Sequence, residues 1–224
     1  MESESMDEST DAEEEQTEIT ESAADLTVSS ASDFVISDGV LTSYTGTDEN
    51  VVIPEGVVTI KAEAFINNKT IKSVKFSSTV TTIGKKAFYN CSSLASVDLN
   101  EGLETIGESA FAEVALGEKL STGAIETGTL KIPSTVRSMG DDVFYNCAYL
   151  GEVIFADGDT AALEIARKYY NSDTGVFGSC PELTKVTLPS RLTNIQSHAF
   201  YNDKKLSEVI FGDRTETVGT YASV

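Results

Sequence analysis

Three cysteines are the first residues of this sequence with types and spacing that could do chemistry. Cys91 follows two lysines in the stretch IGKKAFYNCSSL, a setting in which a thiolate would act as a nucleophile in a basic pocket. Cys147 and Cys180 lie at the same position as Cys91, three residues after a phenylalanine. This recurrence favours a structural role, in which each thiol packs as a small apolar side chain. A disulfide between Cys147 and Cys180 stays open as an alternative, whereas three thiols without histidine partners are not typical of a metal site.

The single histidine and a pair of aspartates are not arranged for catalysis. His198 lies two residues before a phenylalanine, at a position that polar residues fill elsewhere in the chain. A general base needs an orienting acid and a nucleophile, and no Cys–His or Ser–His–Asp grouping is suggested. We interpret Asp141 and Asp142 as an exposed pair, with a weak calcium contact as the alternative. The sequence therefore predicts no enzyme, no cofactor and no metal site.

The charge distribution divides the chain into a tail and a body. Residues 1–26 contain eleven acidic side chains and neither lysine nor arginine, in a chain of 224 residues with a formal net charge of -20. So few apolar residues cannot offset the entropy of ordering, and we predict that residues 1–30 form a disordered acidic tether. The mildly acidic body has no basic stripe, which argues against nucleic acid and anionic membranes as partners. We also expect no membrane insertion, and no export signal is visible.

A phenylalanine recurs along the body with a period of 23 residues. The gaps between successive copies are 23, 23, 33, 33 and 23 residues, so two insertions of ten residues explain the longer gaps. Apolar residues keep fixed positions eight, five and one residue before each phenylalanine and six, nine and eleven after it, the last of these reaching Phe211. Such a period indicates a solenoid of stacked turns. The recurring residues are Phe65, Phe88, Phe111, Phe144, Phe177 and Phe200.

The apolar positions after each phenylalanine predict a short strand. Segments such as LASVDL alternate apolar and polar residues, which is typical of a strand with one buried face. One turn cannot bury its own apolar face, but stacked turns bury a continuous core. We therefore predict a β-rich leucine-rich-repeat solenoid of about six 23-residue turns, with a parallel strand stack and short helical or irregular segments around each phenylalanine. Gly84, Gly107 and Gly140 are expected at a tight bend or at positive φ.

Two further features of the domain organisation follow from local sequence. Residues 31–50 are predicted to form an N-terminal capping hairpin, because Asp38-Gly39 between two apolar stretches is a good two-residue turn. Residues 51–224 are predicted to form the solenoid, with insertions near 112–129 and 156–175, which we expect on its opposite edges. Apolar residues at helical spacing predict a short helix in the second insertion. They are Ala162, Ile165, Ala166 and Tyr169.

Two groups of residues are candidates for contact with a partner protein. The insertions are either tolerated loops or partner contacts, and arginine and tyrosine favour interfaces. The aromatic and basic cluster in the second insertion is Arg167, Lys168, Tyr169 and Tyr170. The other group is the outward-facing position of each strand, because solenoids bind along such surfaces. It consists of Lys75, Asp98, Lys131, Ile154, Thr187 and Ile210.

The segment LKIPSTVRSMGDDVFYNCAYLGEV, residues 130–153, resembles the repeat of the BspA-type leucine-rich repeat family, and the resemblance covers residues 51–219. It implies an extracellular or surface-displayed protein of a host-associated microbe, without catalytic residues. We therefore expect a monomeric adhesion or protein-binding module whose partner is a host or microbial surface or matrix protein. The alternative is a structural spacer within a larger secreted protein whose activity lies elsewhere.

Overall fold

The chain forms a β-solenoid of about seven turns in a computed structural model that describes residues 29–158, 162–165 and 174–219. The predicted parallel strand stack is confirmed. Over these ranges the one helical element is the 3₁₀ turn Ala31–Asp33, so the segments around the phenylalanines are irregular turns rather than helices. Residues 1–28 of the predicted tether lie outside the described residues, and Ser29 is buried.

Seventeen short strands occur in the described part of the chain. They are β1 (Phe34–Ser37), β2 (Val40–Tyr44), β3 (Asn50–Val52), β4 (Thr59–Ile60), β5 (Ser73–Lys75), β6 (Thr82–Ile83), β7 (Ser96–Asp98), β8 (Thr105–Ile106), β9 (Gly117–Lys119), β10 (Ile125–Ile132), β11 (Ser138–Met139), β12 (Leu150–Phe155), β13 (Glu164–Ile165), β14 (Lys185–Thr187), β15 (Asn194–Ile195), β16 (Glu208–Ile210) and β17 (Thr217–Val218).

Two ladders of parallel strands run along the solenoid. The first ladder runs in the order β2-β4-β6-β8-β11-β13 and consists of two-residue strands after the longer β2, and β15 pairs with β17 in the same manner. The second ladder comprises β3-β5-β7 and, separately, β10-β12-β14-β16. Register partners lie one repeat apart, as Thr59, Thr82 and Thr105 do in the first ladder. A regular turn therefore contributes one strand to each ladder.

The third side of each turn is held by a row of hydrogen bonds without strands. The N–H groups of Lys86, Phe88 and Asn90 donate to carbonyls of the following turn at distances of 2.8–2.9 Å. Lys86 and Asn90 have φ angles of 56° and 57°, and the same positions of most other turns are also left-handed. In each such turn a left-handed residue lies two positions before the phenylalanine and another two positions after it. The N–H groups of these three residues point toward the next turn, in the C-terminal direction of the solenoid. We call this row the turn-side hydrogen bonds.

Gly84, Gly107 and Gly140 are required by close approach between turns. None of the three has a positive φ, so that part of the expectation is wrong. A Cβ at Gly84 would lie 2.5 Å from Ala62 N, and one at Gly107 would lie 2.5 Å from Lys85 N. Real Cβ atoms do not approach backbone that closely, and therefore only glycine lets successive turns pack here.

The recurring phenylalanines stack as a column through the core. The ring centroids of Phe65 and Phe88 are 4.6 Å apart, and those of Phe88 and Phe111 are 5.1 Å apart, with interplanar angles of 13° and 4°. Phe144 and Phe177 continue the column at a spacing of 5.5 Å. The predicted core position of these rings is confirmed, because all of them are buried.

β1 and β2 form the predicted N-terminal hairpin. Asp38 and Gly39 both have positive φ, 51° and 74°, which is the conformation that a two-residue type I′ turn requires. β2 then pairs in parallel with β4, and the ring of Tyr44 stacks on that of Phe65 at 5.3 Å. The hairpin thus extends both the first ladder and the aromatic column at this end of the solenoid.

The insertions differ in structure. The first is a β-hairpin, in which β9 pairs antiparallel with the start of β10, while the rest of β10 pairs with β12. The predicted helix in the second insertion is wrong over residues 162–165, because Glu164–Ile165 pair with Ser138–Met139 as a strand of the first ladder. The backbone of these residues therefore pairs with the preceding turn rather than within a helix. Ala166 and Tyr169 lie outside the described residues, and the placement on opposite edges stays a prediction.

The last described turn leaves apolar residues accessible to solvent. Phe211 is 48 % exposed and Val218 is 52 % exposed. Phe76 and Phe155, which hold the position of Phe211 in earlier turns, are buried. The expectation that Phe211 joins the core is therefore wrong, since no described turn packs against it from beyond.

Replacing Phe88 with alanine should lower the free energy of unfolding by about 3–5 kcal/mol, because its fully buried ring stacks on two others. Chemical denaturation of the full chain measures this change. Phe211→Ala is the matched control, and removal of its half-exposed ring should cost less than about 1 kcal/mol. Similar losses in the two variants would contradict the stacked core.

Candidate functional site

The outward-facing positions proposed as a binding surface form one row along the second ladder. The register aligns Lys75 with Asp98 and places Lys131, Ile154, Thr187 and Ile210 in series. Lys75 Nζ lies 3.9 Å from Asp98 Oδ2, an exposed ion pair that contributes little to stability. Ile210 is exposed, whereas Ile154 is half-buried. We call these six residues the outward row, and its role in binding stays a prediction.

The cluster of Arg167, Lys168, Tyr169 and Tyr170 lies outside the described residues. Its role in partner contact also stays a prediction. The structure therefore brings together one of the two predicted groups, the outward row.

The second ladder is interrupted between β7 and β10. Among the described residues, no backbone hydrogen bond joins residues 96–99 to residues 129–132. The strands on either side are paired, β5 with β7 and β10 with β12. The outward row therefore has a break between Asp98 and Lys131. We call the space between residues 96–99 and residues 129–133 the interstrand cleft.

On the β7 side, the peptide groups that face the cleft follow from the alternation of hydrogen bonds along a parallel strand. Ser96 N–H donates to a carbonyl of the preceding turn, and Asp98 O accepts from Phe76 N–H at 3.1 Å. Ser96 and Asp98 therefore bond toward β5. The peptide groups of Val97 and the N–H of Leu99 point the other way, into the cleft.

On the β10 side, the same reasoning identifies the facing groups. Ala156 N–H donates to Ile132 O at 2.9 Å, so Ile132 bonds toward β12. Thr129 and Lys131, which alternate with it, point their peptide groups into the cleft. A closed ladder would make three hydrogen bonds across this space. The donors are the N–H groups of Val97, Leu99 and Lys131, and the acceptors are the carbonyls of Thr129, Val97 and Lys131.

The interstrand cleft has a volume of about 420 Å³ at its mouth and continues into a narrower space of about 110 Å³. The cleft reaches the core, because Val97 is only half-buried whereas its counterpart Val74 is 1 % exposed. Its walls include the apolar side chains of Leu99, Ile132 and Pro133. The same position is buried at Val153 and Val186, which lie in paired strands of the ladder.

Charged residues surround the mouth of the cleft. Asp98 and Glu101 lie on one side and Lys131 on the other. Asp98 also borders a second, larger depression of about 600 Å³ whose lining includes Pro54 and Phe76. The cleft and the depression therefore share Asp98 of the outward row.

The first insertion produces the interruption. Leu116 N–H donates to Leu94 O at 2.9 Å, where a regular turn would begin its next strand. Leu116 has a φ of 47°, an uncommon conformation for a bulky residue, and the chain then turns away into β9. When β10 returns, Gly128 N–H donates to Leu116 O and to Tyr149 O, and the strand continues along β12. β7 is left with one unpaired edge.

The three cysteines are buried, and Cys91 and Cys180 are unreactive in character. All are free thiols, and Cys91 Sγ lies 3.1 Å from Phe65 O and Cys180 Sγ 3.2 Å from Phe144 O. Burial raises the pKa of the Cys91 thiol to about 11, and burial together with the neighbouring Cys147 thiol raises the pKa of Cys180. A thiolate nucleophile needs the opposite shift. The structural role expected for these residues fits this geometry, and Cys147 and Cys180 are not bonded to each other.

Asp203 is a buried carboxyl that the sequence analysis did not single out. It is 0 % exposed, Oδ1 accepts a hydrogen bond from Cys180 N–H at 2.7 Å, and Oδ2 has no hydrogen-bond partner among the described residues. Burial raises its pKa to about 8 from the ordinary value of 3.8. A signal for this burial was present, because Asp203 occupies the position of the three cysteines.

Arg191 is the second buried residue that sequence reasoning missed. It is 1 % exposed, and its guanidinium donates to Pro133 O at 3.3 Å and to Val136 O. These contacts join its turn to the turn that follows the first insertion. Nothing in the sequence indicated that Arg191 would be buried, because threonines, Thr79 and Thr135, occupy the same repeat position in two other turns.

The remaining candidates for chemistry do not form a site. His198 is half-buried with a φ of 62°, and its ring contacts that of Tyr201 at 5.5 Å. The interpretation of Asp141 and Asp142 as an exposed pair is wrong, because Asp141 is buried and Asp142 half-buried. The described residues contain no cluster of metal ligands. They also contain no helix of the length and hydropathy that a membrane span requires.

Comparisons with known proteins agree with the repeat. A family described as "BspA type Leucine rich repeat region" matches residues 36–158 and 122–223, with six copies of its repeat. No curated protein matches the chain. A leucine-rich repeat protein from T. pallidum is similar in structure, with 26% identity over 86% of this chain and 85% of that one and a TM-score of 0.68.

Two further structures are similar over a smaller part of their own length. A leucine-rich repeat protein from Eubacterium ventriosum has 24% identity and a TM-score of 0.60, with 83% of this chain and 45% of that one covered. A leucine-rich cell surface protein from Faecalibacterium prausnitzii has 23% identity and a TM-score of 0.49, with 76% and 34% covered. The first of these two supports the fold alone.

The amides that face the interstrand cleft should exchange with solvent at least about 100-fold faster than their paired counterparts, because exchange requires that a hydrogen bond be open. Hydrogen exchange followed by NMR compares Val97 and Leu99 with Val74 and Phe76, which hold the same positions in the preceding turn. Phe76 N–H donates to Asp98 O at 3.1 Å and serves as the protected reference. Equal protection of the two pairs would show that the ladder is closed in solution.

Asp203→Asn should stabilise the protein at neutral pH by about 1–3 kcal/mol and flatten the dependence of stability on pH. The folded pKa of about 8 lies above the ordinary 3.8. As the pH rises, the carboxyl therefore loses its proton in the unfolded chain at a lower pH than in the folded protein. The wild type should therefore lose stability as pH rises from about 4 to about 8. Denaturation at pH 4.5 and pH 8 measures the difference. A variant whose stability changes with pH as the wild type does would contradict the shift.

Proposed function

The chain belongs to the BspA-type leucine-rich repeat family, whose members are typically surface repeat proteins, and we propose that it is a surface-exposed or secreted protein-binding module without catalytic activity. The observation that carries the proposal is the outward row with its open cleft. Solenoids present such extended surfaces to partners, and an opening that reaches the core adds a place where a partner can be held.

The electrostatics of the outward row favour a protein partner. Its exposed charges alternate in sign, with Lys75 and Lys131 on either side of Asp98, and apolar surface is contributed by Ile210 at the far end. A mixed row of this kind offers no continuous basic path for phosphates, whereas polar rims around apolar points are typical of protein interfaces. The partner we propose is a surface or matrix protein of the host or of another microbe.

A structural spacer in a longer secreted protein is the second candidate. Most of the chain supports it, because the regular turns repeat the same packing and the described residues contain no cluster of metal ligands. A spacer has no need of an open cleft, however, and so the cleft favours the binding module.

A pull-down with the full chain tests the binding function. The chain is immobilised and offered a panel of extracellular-matrix proteins and bacterial surface extracts at physiological salt. We expect retention of at least one protein, reduced about tenfold or more by the double substitution Thr187→Glu and Ile210→Glu in the outward row. Lys204→Glu, an exposed charge change outside the row, is the matched control.

Retention of nothing above a blank support would contradict the binding function and favour the spacer. Retention that both variants leave unchanged would show that the outward row is not the surface in contact. Thermal denaturation of each variant confirms that the fold is intact before binding is compared.

A further inference from the structure

We propose that the carboxyl of Asp203 makes the closure of the end of the solenoid dependent on pH. We call residues 194–219, the last that the structure describes, the terminal turn. Asp203 lies between β15 and β16 in this turn, which is closed while the carboxyl is protonated and opens more readily once the carboxyl is ionised. Ile210 of the outward row lies in the same turn, so only the closed form presents the complete row. Closure of the turn is a property of the fold and goes beyond the proposed function.

Asp203 continues a column of thiols that donate hydrogen bonds to the preceding turn. Each thiol donates to the carbonyl of the phenylalanine one turn back, as Cys180 Sγ does to Phe144 O at 3.2 Å. Asp203 holds the same position in the terminal turn, and the register gives Phe177 O as the corresponding acceptor. A carboxyl can donate at this position only when it is protonated.

The surroundings of the carboxyl favour its protonated form. Oδ1 of the buried Asp203 accepts a hydrogen bond from Cys180 N–H, whereas Oδ2 has no hydrogen-bond partner among the described residues. In the register of the thiols, an ionised Oδ2 would meet the carbonyl of Phe177 as acceptor against acceptor, and a protonated Oδ2 would donate to it. Burial raises the pKa of Asp203 to about 8, which the hydrogen bond from Cys180 N–H offsets only in part.

No charged side chain compensates the ionised carboxyl among the described residues packed around it. The preceding turn contributes the buried thiol of Cys180, and the buried thiol of Cys147 follows in the column. Beside the carboxyl in the chain, Lys204 and Lys205 are exposed, and Lys205 Nζ pairs with Glu182 Oε2 at 2.6 Å. Ionisation therefore leaves a buried charge without a partner, which disfavours the closed turn.

The terminal turn can open without the rest of the array. Among the described residues it packs against one neighbouring turn, and Phe211 on its far side is exposed. Its bonds to the preceding turn include that from Ser179 N–H to Tyr201 O at 2.7 Å. Because each turn of a repeat array is stabilised by its neighbours, a turn with one neighbour opens more easily than an internal one. Opening exposes the carboxyl to water, where its pKa returns to the ordinary value.

The direction of the pH dependence follows from the two pKa values of Asp203. They are about 8 in the closed turn and the ordinary 3.8 once the carboxyl is exposed, so opening releases a proton between these values. The equilibrium constant for opening therefore rises by up to about tenfold per pH unit from about pH 4 to about pH 8. Below that range the carboxyl is protonated in both forms, and the turn is most firmly closed.

Hydrogen exchange of the full chain, followed by NMR at pH 5 and pH 7, tests this closure. The amides of Phe177, Ser179 and Leu188 bond to the terminal turn, whereas those of Phe88 and Asn90 bond between internal turns. Protection factors are corrected for the intrinsic effect of pH on exchange. At pH 7 we expect those of the first set to be at least tenfold lower than those of the second. At pH 5 the first set should be at least tenfold more protected than at pH 7.

Asp203→Asn is the test variant, because its amide is neutral at every pH and can both accept from Cys180 N–H and donate to Phe177 O. Protection of the first set at pH 7 should rise at least tenfold in this variant and change less than threefold between pH 5 and pH 7. Asp203→Cys restores the thiol of the other turns and should behave in the same way, so it replaces the asparagine variant if that variant does not fold. Asp213→Asn, an equal charge change at an exposed position of the same turn, should behave as the wild type.

Three results would overturn the pH-dependent closure. The first is wild-type protection that does not change between pH 5 and pH 7 after correction. The second is an equal effect of Asp203→Asn and Asp213→Asn, which would make the effect one of net charge. The third is equal protection of the two sets of amides at pH 7, which would show that the terminal turn opens only with the whole array.

The proposed function and the pH-dependent closure fail separately, because exchange is measured without a partner. If the pull-down retains nothing while the protection factors behave as expected, the binding function is wrong and the closure stands. If the pull-down retains a partner while protection does not depend on Asp203, the binding function stands and the closure is wrong.

Discussion

Stacking of equivalent side chains at intervals of about 5 Å is the constraint on which the rest of this structure depends. The phenylalanine rings lie 4.6–5.9 Å apart from Phe65 to Phe200, close to the spacing of hydrogen-bonded strands. Each turn must therefore place its apolar residues at the same position along the solenoid axis as its phenylalanine ring. The interval also explains why Gly84 and Gly107 have no substitute, since a side chain there would occupy the space of the preceding turn.

The cleft exists because this constraint acts on the core more strongly than on the strands. Across the first insertion the rings of Phe111 and Phe144 remain stacked at 5.6 Å, and the turn-side hydrogen bonds continue without a break. The ten added residues are accommodated entirely on the strand side, by the hairpin of β9 and β10. A repeat protein can therefore open a cleft without loss of its core, provided that the added chain leaves and returns on one side of the turn.

The sequence was sufficient for those features that recur. The period, the apolar columns and the Asp38-Gly39 turn predict the stacked core, the parallel ladders and the hairpin, because each depends on local pattern or on a position shared by all turns. Features that occur once were missed. Whether β7 and β10 pair depends on the backbone path of the first insertion, and the sequence of its ten extra residues does not predict that path. The strand at Glu164–Ile165 was missed because the apolar spacing predicted a helix, whereas these residues pair in parallel with β11 in the folded protein. Arg191 is buried by the turn that it reaches, which no local pattern reveals.

The forward direction of the turn-side hydrogen bonds gives the solenoid an electrical polarity. In the strand ladders, alternate peptide groups point in opposite directions and their dipoles largely cancel. On the turn side, the N–H groups flanking each phenylalanine point the same way, so their dipoles add along the axis as they do in a helix. That side carries partial negative charge toward the hairpin and partial positive charge toward the last turn. A partner with its own uneven charge would therefore distinguish the two ends of the array, and would lie along it in one orientation rather than the reverse.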